Sequence, residues 1–161
     1  MRIGLGIDVH AFAAEGAHRP LILGGVRIPH SRGLLGHSDA DVLTHAVMDA
    51  LLGAARLGDI GRHFPDTSSA FRDADSLALL RQVGTLLARA HWQIEDLDCV
   101  IIAQQPQLSP YRDEMAANIA AALEVEPSFV GIKATTSEHL GFEGREEGIS
   151  AYAVALLQPA D

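Results

Sequence analysis

Two ionisable side chains stand together near the start of the chain, in the stretch GIDVHAF. Asp8 and His10 are two residues apart, so on a β-strand they point to the same face. Ile7, Val9 and Ala11 make the other face apolar, as in an ordinary buried strand. A carboxylate beside an imidazole can serve as an ion pair, as an acid–base pair or as part of a metal site, and the strand alone leaves these three interpretations open.

A third candidate ligand, His45, lies on a predicted helix. It follows Asp41 by four residues and precedes Asp49 by four, so the three side chains form one polar stripe. Such a stripe is usually a solvated face, in which Asp41 caps the helix and Asp49 pairs with His45. Combined with Asp8 and His10, however, His45 would complete three ligands with one open position, the pattern of catalytic zinc. Asp49 would then accept the free N–H of His45.

A polar run with the sequence TTSE follows a predicted strand at 135–138. It can be a plain polar turn, or it can offer hydroxyl donors to phosphate and a carboxylate to a hard cation. The chain has no Walker loop, no dinucleotide-binding glycine fingerprint and no GxSxG motif. The residues themselves therefore predict a metal site beside a site for a polyanion, without naming a substrate.

Length, charge and composition indicate a single-domain protein and argue against a nucleic-acid-binding one. The 161 residues suit one domain, 1–161, and carry 12 basic against 21 acidic side chains, a net charge of −9. No Lys/Arg cluster offers a surface for nucleic acid, so we expect no nucleic-acid partner. Apolar residues make up 48% of the chain but aromatic residues only 5%. This balance favours a homo-oligomer that buries small apolar side chains between subunits.

The expected location is the cytoplasm, with no membrane association. The N-terminus MRIGLGIDVH lacks the apolar core of a signal peptide, because Asp8 interrupts it, and no apolar run reaches the roughly 18 residues that cross a bilayer. Cys99 has no second cysteine to pair with, which suits a reducing compartment. In the run DLDCVIIA it is expected to be a small buried side chain rather than a nucleophile.

Hydrophobic periodicity predicts an α/β sandwich with helices on one face of a mixed sheet. The predicted order is strand, hairpin, helix, helix, strand, helix, strand, strand. The predicted strands cover 2–12, 98–104, 129–134 and 149–157, with a hairpin over 20–29 that turns at a Gly-Gly pair. The predicted helices run from a Ser38/Asp41 capping box to a point before Gly58, over 76–90, and over 109–123.

Eight short motifs, in order between residue 2 and about residue 157, give the chain a close resemblance to the 2-C-methyl-D-erythritol 2,4-cyclodiphosphate synthase family. They are DVH at 8–10, GGVRIP at 24–29, HSDADV at 37–42, LGDIG at 57–61, FPDT at 64–67, IIAQ at 101–104, KATTSE at 133–138 and GREEGI at 144–149. The resemblance implies a homotrimer with active sites at subunit interfaces. The implied reaction closes 4-diphosphocytidyl-2-C-methyl-D-erythritol 2-phosphate on itself and releases CMP, a lyase step of non-mevalonate isoprenoid biosynthesis.

The resemblance also implies metal ligands and catalytic residues, position by position. The implied Zn²⁺ ligands are Asp8, His10 and His45, and Glu138 is the implied ligand of a second divalent ion, Mg²⁺ or Mn²⁺. The implied catalytic residues, which position the diphosphate and stabilise its transition state, are His37 and Thr136.

The implied substrate contacts form three groups. The methylerythritol and phosphate region is implied to be lined by Ser38, Asp59, Ile60, Gly61, Phe64, Pro65, Asp66, Thr67 and Ser68. Cytidine from the substrate of an adjacent subunit is implied to contact Ala103, Gln104, Gln105, Pro106, Gln107, Leu108, Ser109, Thr135 and Thr136, with Ser137 beside them. Phe142 and Arg145 resemble residues that line the family's central trimer cavity, where an isoprenoid diphosphate binds. Without such a ligand, Arg145 would be a surface partner of Glu146 or Glu147.

Two rival functions fit the same residues. A zinc phosphoesterase would use the three ligands to activate water, and a non-catalytic trimer would bind isoprenoid diphosphates without turnover. The cyclising reaction differs from both, because one phosphate attacks another and no protein nucleophile is required. Zinc would then serve as a Lewis acid and template.

Overall fold

Four of the six strands form one mixed sheet in the computed structural model, which describes residues 1–65, 67, 71 and 73–160. The strands are β1 (Arg2–Ala11), β2 (Leu21–Leu23), β3 (Val26–Ile28), β4 (Trp92–Ile102), β5 (Val130–Thr135) and β6 (Gly148–Pro159). The sheet has the order β1-β6-β4-β5, and β2 pairs with β3 as a separate hairpin. β4 and β5 are parallel, whereas β6 is antiparallel to β1 and to β4. The C-terminal ends of β1, β4 and β5 therefore lie at the same edge of the sheet.

Helices cover one face of this sheet. They are α1 (Val42–Ala55), α2 (Ile60–His63), α3 (Ser76–Arg89), α4 (Arg112–Leu123) and α5 (Gly141–Gly144), with 3₁₀ turns at Ser109–Tyr111 and Pro127–Phe129. α1 packs across β1 and β6, α3 packs on β4, and α4 packs on β5. Fully buried side chains such as Leu43, Leu51, Leu80 and Ile101 fill the space between the layers. The predicted strands, hairpin and three long helices occur in the predicted order, with the helices on one face of a mixed sheet.

A buried carboxylate ties the hairpin to α1. Asp41 accepts hydrogen bonds from the backbone N–H groups of Gly24 (2.9 Å), Gly25 (2.8 Å) and Thr44 (3.0 Å). Both glycines have positive φ, as a two-residue hairpin turn requires. The predicted capping box is wrong, because Asp41 itself is the N-cap and Ser38 lies before the helix. One side chain thus stabilises a turn and a helix end together.

Glycines allow α1 to lie close to β1. A Cβ added at Gly6 would lie 1.9 Å from the carbonyl oxygen of Ala46, and Gly4 meets the helix backbone in the same way. Side chains alternate along a strand, so the next residues on this face are Asp8 and His10. The short distance between strand and helix therefore brings both side chains next to α1.

The apolar side chains of β1 lie on the opposite, outward face. Ile3, Leu5, Ile7 and Val9 are 66%, 62%, 48% and 49% exposed. The expectation of an ordinary buried strand is therefore wrong within one chain, because the helices cover only the glycine face. Leu5 pairs with Val154 of β6, which is also exposed, so the apolar surface continues onto the neighbouring strand. We call this surface the outer face of β1.

The remaining differences from the predicted elements are local. β4 begins at Trp92 rather than at residue 98, because the ladder with β6 shifts between Ile94 and Asp96 and breaks the alternation of apolar residues. The short helices α2 and α5 were not predicted. Cys99 is buried as expected, and burial raises the pKa of its thiol to about 12. Among the described residues, no helix is long and apolar enough to cross a membrane.

Candidate active site

Three ligand atoms converge where β1 meets α1. Asp8 Oδ2 lies 2.9 Å from His10 Nε2 and 3.0 Å from His45 Nδ1. The two ring nitrogens are 3.3 Å apart. A tetrahedral ion with bonds of about 2.0–2.2 Å needs ligand atoms about 3.4 Å apart, so this triangle needs only a small expansion. Two imidazoles and one carboxylate also match the donor set of zinc, and the predicted grouping of the three residues is confirmed.

Burial and mutual contacts set the charges of this group. Burial alone would raise the pKa of Asp8, but the close contacts with the His10 and His45 rings outweigh it and hold that pKa well below its ordinary 3.8. Burial alone would lower the pKa of His10, but the hydrogen bond and the charge of Asp8 raise it above its ordinary 6.5. In the absence of metal, the Asp8 carboxylate therefore favours a proton on His10. The cluster is built to hold positive charge.

Both histidine rings are held at their second nitrogen as well. His10 Nδ1 contacts the carbonyl oxygen of Leu35, which accepts its N–H and leaves Nε2 free to bind a cation. His45 Nε2 lies 3.0 Å from Ser76 Oγ and 3.2 Å from Ser38 Oγ. The arrangement leaves one nitrogen of each ring facing Asp8, where a bound cation would take its lone pair.

The partner predicted for His45 is wrong. Asp49 accepts a hydrogen bond from the backbone N–H of Ile60 at 2.8 Å, so it anchors the start of α2. Burial, together with the nearby Asp59 and Asp8, raises the pKa of Asp49. Ser76 takes the place expected for Asp49, although it lies 31 residues from His45 in sequence. No local spacing signals such a contact.

A cavity of about 130 Å³ lies beside the metal ligands. It is lined by His37, Ser38, His45, Met48, Ile60, Gly61, Phe64, Phe71 and Leu79. Four of the implied methylerythritol contacts, together with His37, are thus brought together. Asp59 lies next to them as the N-cap of α2, where it accepts from the Arg62 N–H at 2.9 Å.

The other contacts implied for this region follow α2 in the sequence. Pro65 is half-buried and Thr67 is exposed. Asp66 and Ser68 lie outside the described residues. The substrate roles of all four stay predictions.

A second, larger cleft opens at the C-terminal ends of β4 and β5. Its volume is about 470 Å³, and it is lined by Ala103, Gln104, Gln105, Pro106, Gln107, Leu108, Ser109, Ala134, Thr135 and Thr136. The structure brings together every residue implied to hold cytidine, and it adds Ala134. Ser137 is adjacent in sequence but does not line this cleft. We call this feature the β4–β5 cleft.

Glu138 lies beside this cleft rather than with the three metal ligands. Its carboxylate accepts a hydrogen bond from the Thr136 hydroxyl at 3.0 Å. The backbone N–H of His139 donates to Gln104 Oε1 at 3.1 Å, which joins the two loops that form the cleft. Thr136 and Glu138 therefore form one exposed polar pair, with hydroxyl and carboxylate oxygens available to a ligand.

The metal ligands and the cleft share an edge of the sheet but are separated across it. Asp8, Ala151, Ile101 and Ala134 form one row over β1, β6, β4 and β5. Three strand spacings amount to about 14 Å. Within one chain, the two features are therefore distinct cavities that face the same end of the molecule.

The two residues implied to line a central cavity lie on and just after α5. Phe142 is half-buried and Arg145 is exposed. Arg145 Nε and Nη2 donate to Glu147 at 2.9 and 3.2 Å, a two-point ion pair. Of the two surface partners considered for Arg145, the structure has Glu147.

Comparison with known proteins agrees with these motifs. A model of the YgbB family matches residues 1–158. The chain belongs to the YgbB family. A relative from Syntrophobacter fumaroxidans, named 2-C-methyl-D-erythritol 2,4-cyclodiphosphate synthase, is 59% identical over 158 residues, which cover 98% of each chain.

Solved structures related to this YgbB-family chain have the same fold. IspF from Plasmodium falciparum, in a complex with CDP, superposes with a TM-score of 0.86 and 34% identity over 99% of this chain and 97% of that one. The bifunctional IspDF from Campylobacter jejuni superposes with a TM-score of 0.94 and 41% identity over 99% of this chain. The match spans 42% of that longer protein.

Proposed function

We propose that this chain converts 4-diphosphocytidyl-2-C-methyl-D-erythritol 2-phosphate to 2-C-methyl-D-erythritol 2,4-cyclodiphosphate and CMP. The observation that carries the proposal is the three-ligand cluster of Asp8, His10 and His45, with an adjacent cavity and a separate cleft at the same edge of the sheet. The full-length relatives that carry the name of this synthase support the same reaction.

The chemistry requires stabilisation of negative charge. An oxygen of the 2-phosphate attacks the phosphorus of the diphosphate that is attached to the sugar, and the bond from that phosphorus to the CMP oxygen breaks. Both reacting groups are anions, and the protein itself carries a net charge of −9. Zn²⁺ held by Asp8, His10 and His45 would polarise the diphosphate oxygens as a Lewis acid.

Side chains near the two cavities complete the proposed site. His37 and Thr136 are proposed as the catalytic residues that position the diphosphate by hydrogen bonds and stabilise its transition state. The cavity lining supports the position of His37, and the bond from Thr136 to Glu138 supports a shared site for a phosphate and a second divalent ion. Glu138 would supply an oxygen ligand to Mg²⁺ or Mn²⁺.

The proposed site is shared between subunits of a homotrimer. The separation of about 14 Å across the sheet supports a substrate that spans the metal centre of one subunit and the β4–β5 cleft of the next. The outer face of β1 is a continuous apolar surface of the kind that subunit interfaces bury. Phe142 and Arg145 would then lie near the trimer axis, where an isoprenoid diphosphate would compete with Glu147 for the guanidinium group.

A single substitution tests the assembly. Leu5→Glu places a charge on the outer face of β1 and should convert the trimer to monomers in sedimentation or light scattering, with loss of turnover. Arg81→Glu, on the surface of α3, is the matched control and should leave the trimer intact. A Leu5→Glu protein that remains a fully active trimer would contradict this interface.

Product analysis separates the proposed reaction from its rivals. With the cytidylyl substrate and Mg²⁺, mass spectrometry should show the cyclic diphosphate and CMP in equal amounts. A phosphoesterase would give a linear phosphate, and a non-catalytic binding protein would give no product. We also expect the protein in the cytoplasm, where fractionation should recover it.

A further inference from the structure

We propose that Ser76, oriented by Asp39, is a positioning residue that keeps the proton of His45 on Nε2 and so leaves Nδ1 free for the metal ion. The inference rests on the proposed metal centre. It extends that centre to residues that neither the spacing of the ligands nor the cavity lining assigns.

The contacts form a continuous chain. His45 Nε2 lies 3.0 Å from Ser76 Oγ, and the Ser76 hydroxyl contacts Asp39 Oδ1. The other oxygen of Asp39 accepts from the Ser76 backbone N–H at 3.0 Å. Ser76 is fully buried and His45 is 8% exposed, so water does not compete strongly for these bonds.

The direction of each bond follows from the donor inventory. Both oxygens of the Asp39 side chain accept from neighbouring N–H groups, and the Ser76 hydroxyl likewise donates its single proton to Asp39 Oδ1. The Ser76 oxygen is then an acceptor towards the ring, which requires N–H at His45 Nε2. The neutral ring has only one such proton, so Nδ1 carries the lone pair.

Without this constraint the opposite tautomer would be favoured. Asp8 Oδ2 lies 3.0 Å from His45 Nδ1 and, in the metal-free protein, would accept a proton placed there. Ser38 does not decide between the two forms. Its oxygen accepts from the Ala40 N–H at 3.2 Å, and its own proton is free to turn towards the ring. Of the two hydroxyls beside His45 Nε2, the one of Ser76 has a fixed hydrogen-bond direction, because its proton is donated to Asp39.

The Ser76 hydroxyl does not cap the helix that it begins. Ser76 is the first residue of α3, and the helix is capped by Asp75, whose side chain accepts from the Leu77 N–H at 2.9 Å. Removing the hydroxyl therefore leaves the cap in place.

The first test measures zinc affinity by competition with a chromogenic chelator. Ser76→Ala should weaken zinc binding about ten- to a hundredfold, as loss of such a partner does in other metal sites. The near-isosteric Asp39→Asn should weaken it in the same direction. Ser38→Ala, which removes a hydroxyl next to the same nitrogen, is the matched control and should bind zinc within a few-fold of the unmodified protein. Equal affinities in all four proteins would overturn the proposal.

The second test reads the tautomer directly. Nitrogen-15 NMR of the metal-free protein, at a pH above the histidine pKa values, should show His45 protonated at Nε2, and Ser76→Ala should shift the proton towards Nδ1. Protonation at Nδ1 in the unmodified protein would overturn the proposal, whether or not the enzyme turns over. If the tautomer shifts as expected but no cyclic product forms, the proposed reaction fails and the positioning role stands.

Discussion

The metal-ligand cluster and the β4–β5 cleft lie at the same edge of the sheet but are built in opposite ways. In the cluster, each side chain comes from a strand or a helix, is largely buried, and has a partner at every ligand atom. The cleft is formed by a loop after β4 and by the end of β5. Several of its side chains, such as Gln105, Gln107 and Ser109, are exposed, and the bond from Gln107 to Ser109 is local.

This difference indicates how each region works. An ion needs ligand atoms at fixed positions, so the cluster depends on individual side chains and on the packing behind them. A nucleotide moiety can be held by the shape and backbone groups of a loop, so the cleft should tolerate single changes. Substitutions in the two regions should therefore differ in size and in kinetic character.

The largest effect is expected for loss of a metal ligand. His45→Ala should abolish zinc binding and lower kcat by about a thousandfold or more, because a bound metal contributes several kcal/mol to stabilising the transition state. Gln105→Ala in the cleft should change KM by less than about tenfold with kcat nearly unchanged. Steady-state kinetics and metal analysis check both, with the exposed His18→Ala as a control. Similar losses of kcat in the two variants would contradict the proposed difference between the metal-ligand cluster and the β4–β5 cleft.

The packing behind the cluster gives the next effect. Gly6→Ala would drive a methyl group into the backbone of α1, and it should lower the free energy of unfolding by about 3 kcal/mol or more. Gly53→Ala, on α1 with open space around it, should raise that free energy by about 0.5–1 kcal/mol. Urea denaturation measures both. A Gly6→Ala protein as stable as the parent would show that the close contact is not required.

After the metal ion has been removed with a chelator, the free energy of unfolding should depend on pH in a way that reveals the pair of Asp8 and His10. The pKa of His10 is raised in the folded state, so its contribution to stability is complete below the unfolded value of about 6.5. That contribution is lost as the pH rises through the raised value. Zinc affinity should show the opposite trend and increase over the same range, because the ion must displace the proton. His10→Ala should flatten the stability profile of the chelated protein, and an unchanged slope would contradict the pair.

The smallest effect is expected in the cleft. Ser109→Ala removes the acceptor of an exposed hydrogen bond from Gln107, at 3.2 Å, and should change KM by less than about fivefold. Inhibition by CMP, measured with the same variant, should change in proportion. A loss of kcat comparable with that of a metal-ligand variant would place Ser109 in the chemistry rather than in binding.

Much of the fold could be predicted from local pattern. The 3.6-residue period of α1 and the Gly-Gly turn of the hairpin are visible in the sequence, and both are confirmed. The start of β4 was missed because its bulge interrupts the period of two. Helices of only four residues, α2 and α5, are too short to show a period at all.

For the site as well, local spacing predicts some contacts and not others. Asp8 and His10 share a face by spacing alone, but their contact with His45 depends on the close approach that the β1 glycines allow. The contact of Ser76 with Asp39 joins residues 37 positions apart and depends on how α3 lies against the loop before α1. Such contacts follow from tertiary packing, so no periodicity reveals them. The outer face of β1 was misjudged because alternation does not tell which face of a strand the helices cover.

Mixing two inactive variants tests the shared active site most directly. His45→Ala disables the metal centre, and Thr135→Trp fills the β4–β5 cleft, so each homotrimer alone should be inactive. When the two proteins are unfolded together and reassembled at random, up to about a quarter of the sites should combine an intact metal centre with an intact neighbouring cleft. The account predicts that formation of the cyclic diphosphate returns to about that fraction of the parent rate. No recovery in verified mixed trimers would contradict an active site shared between subunits.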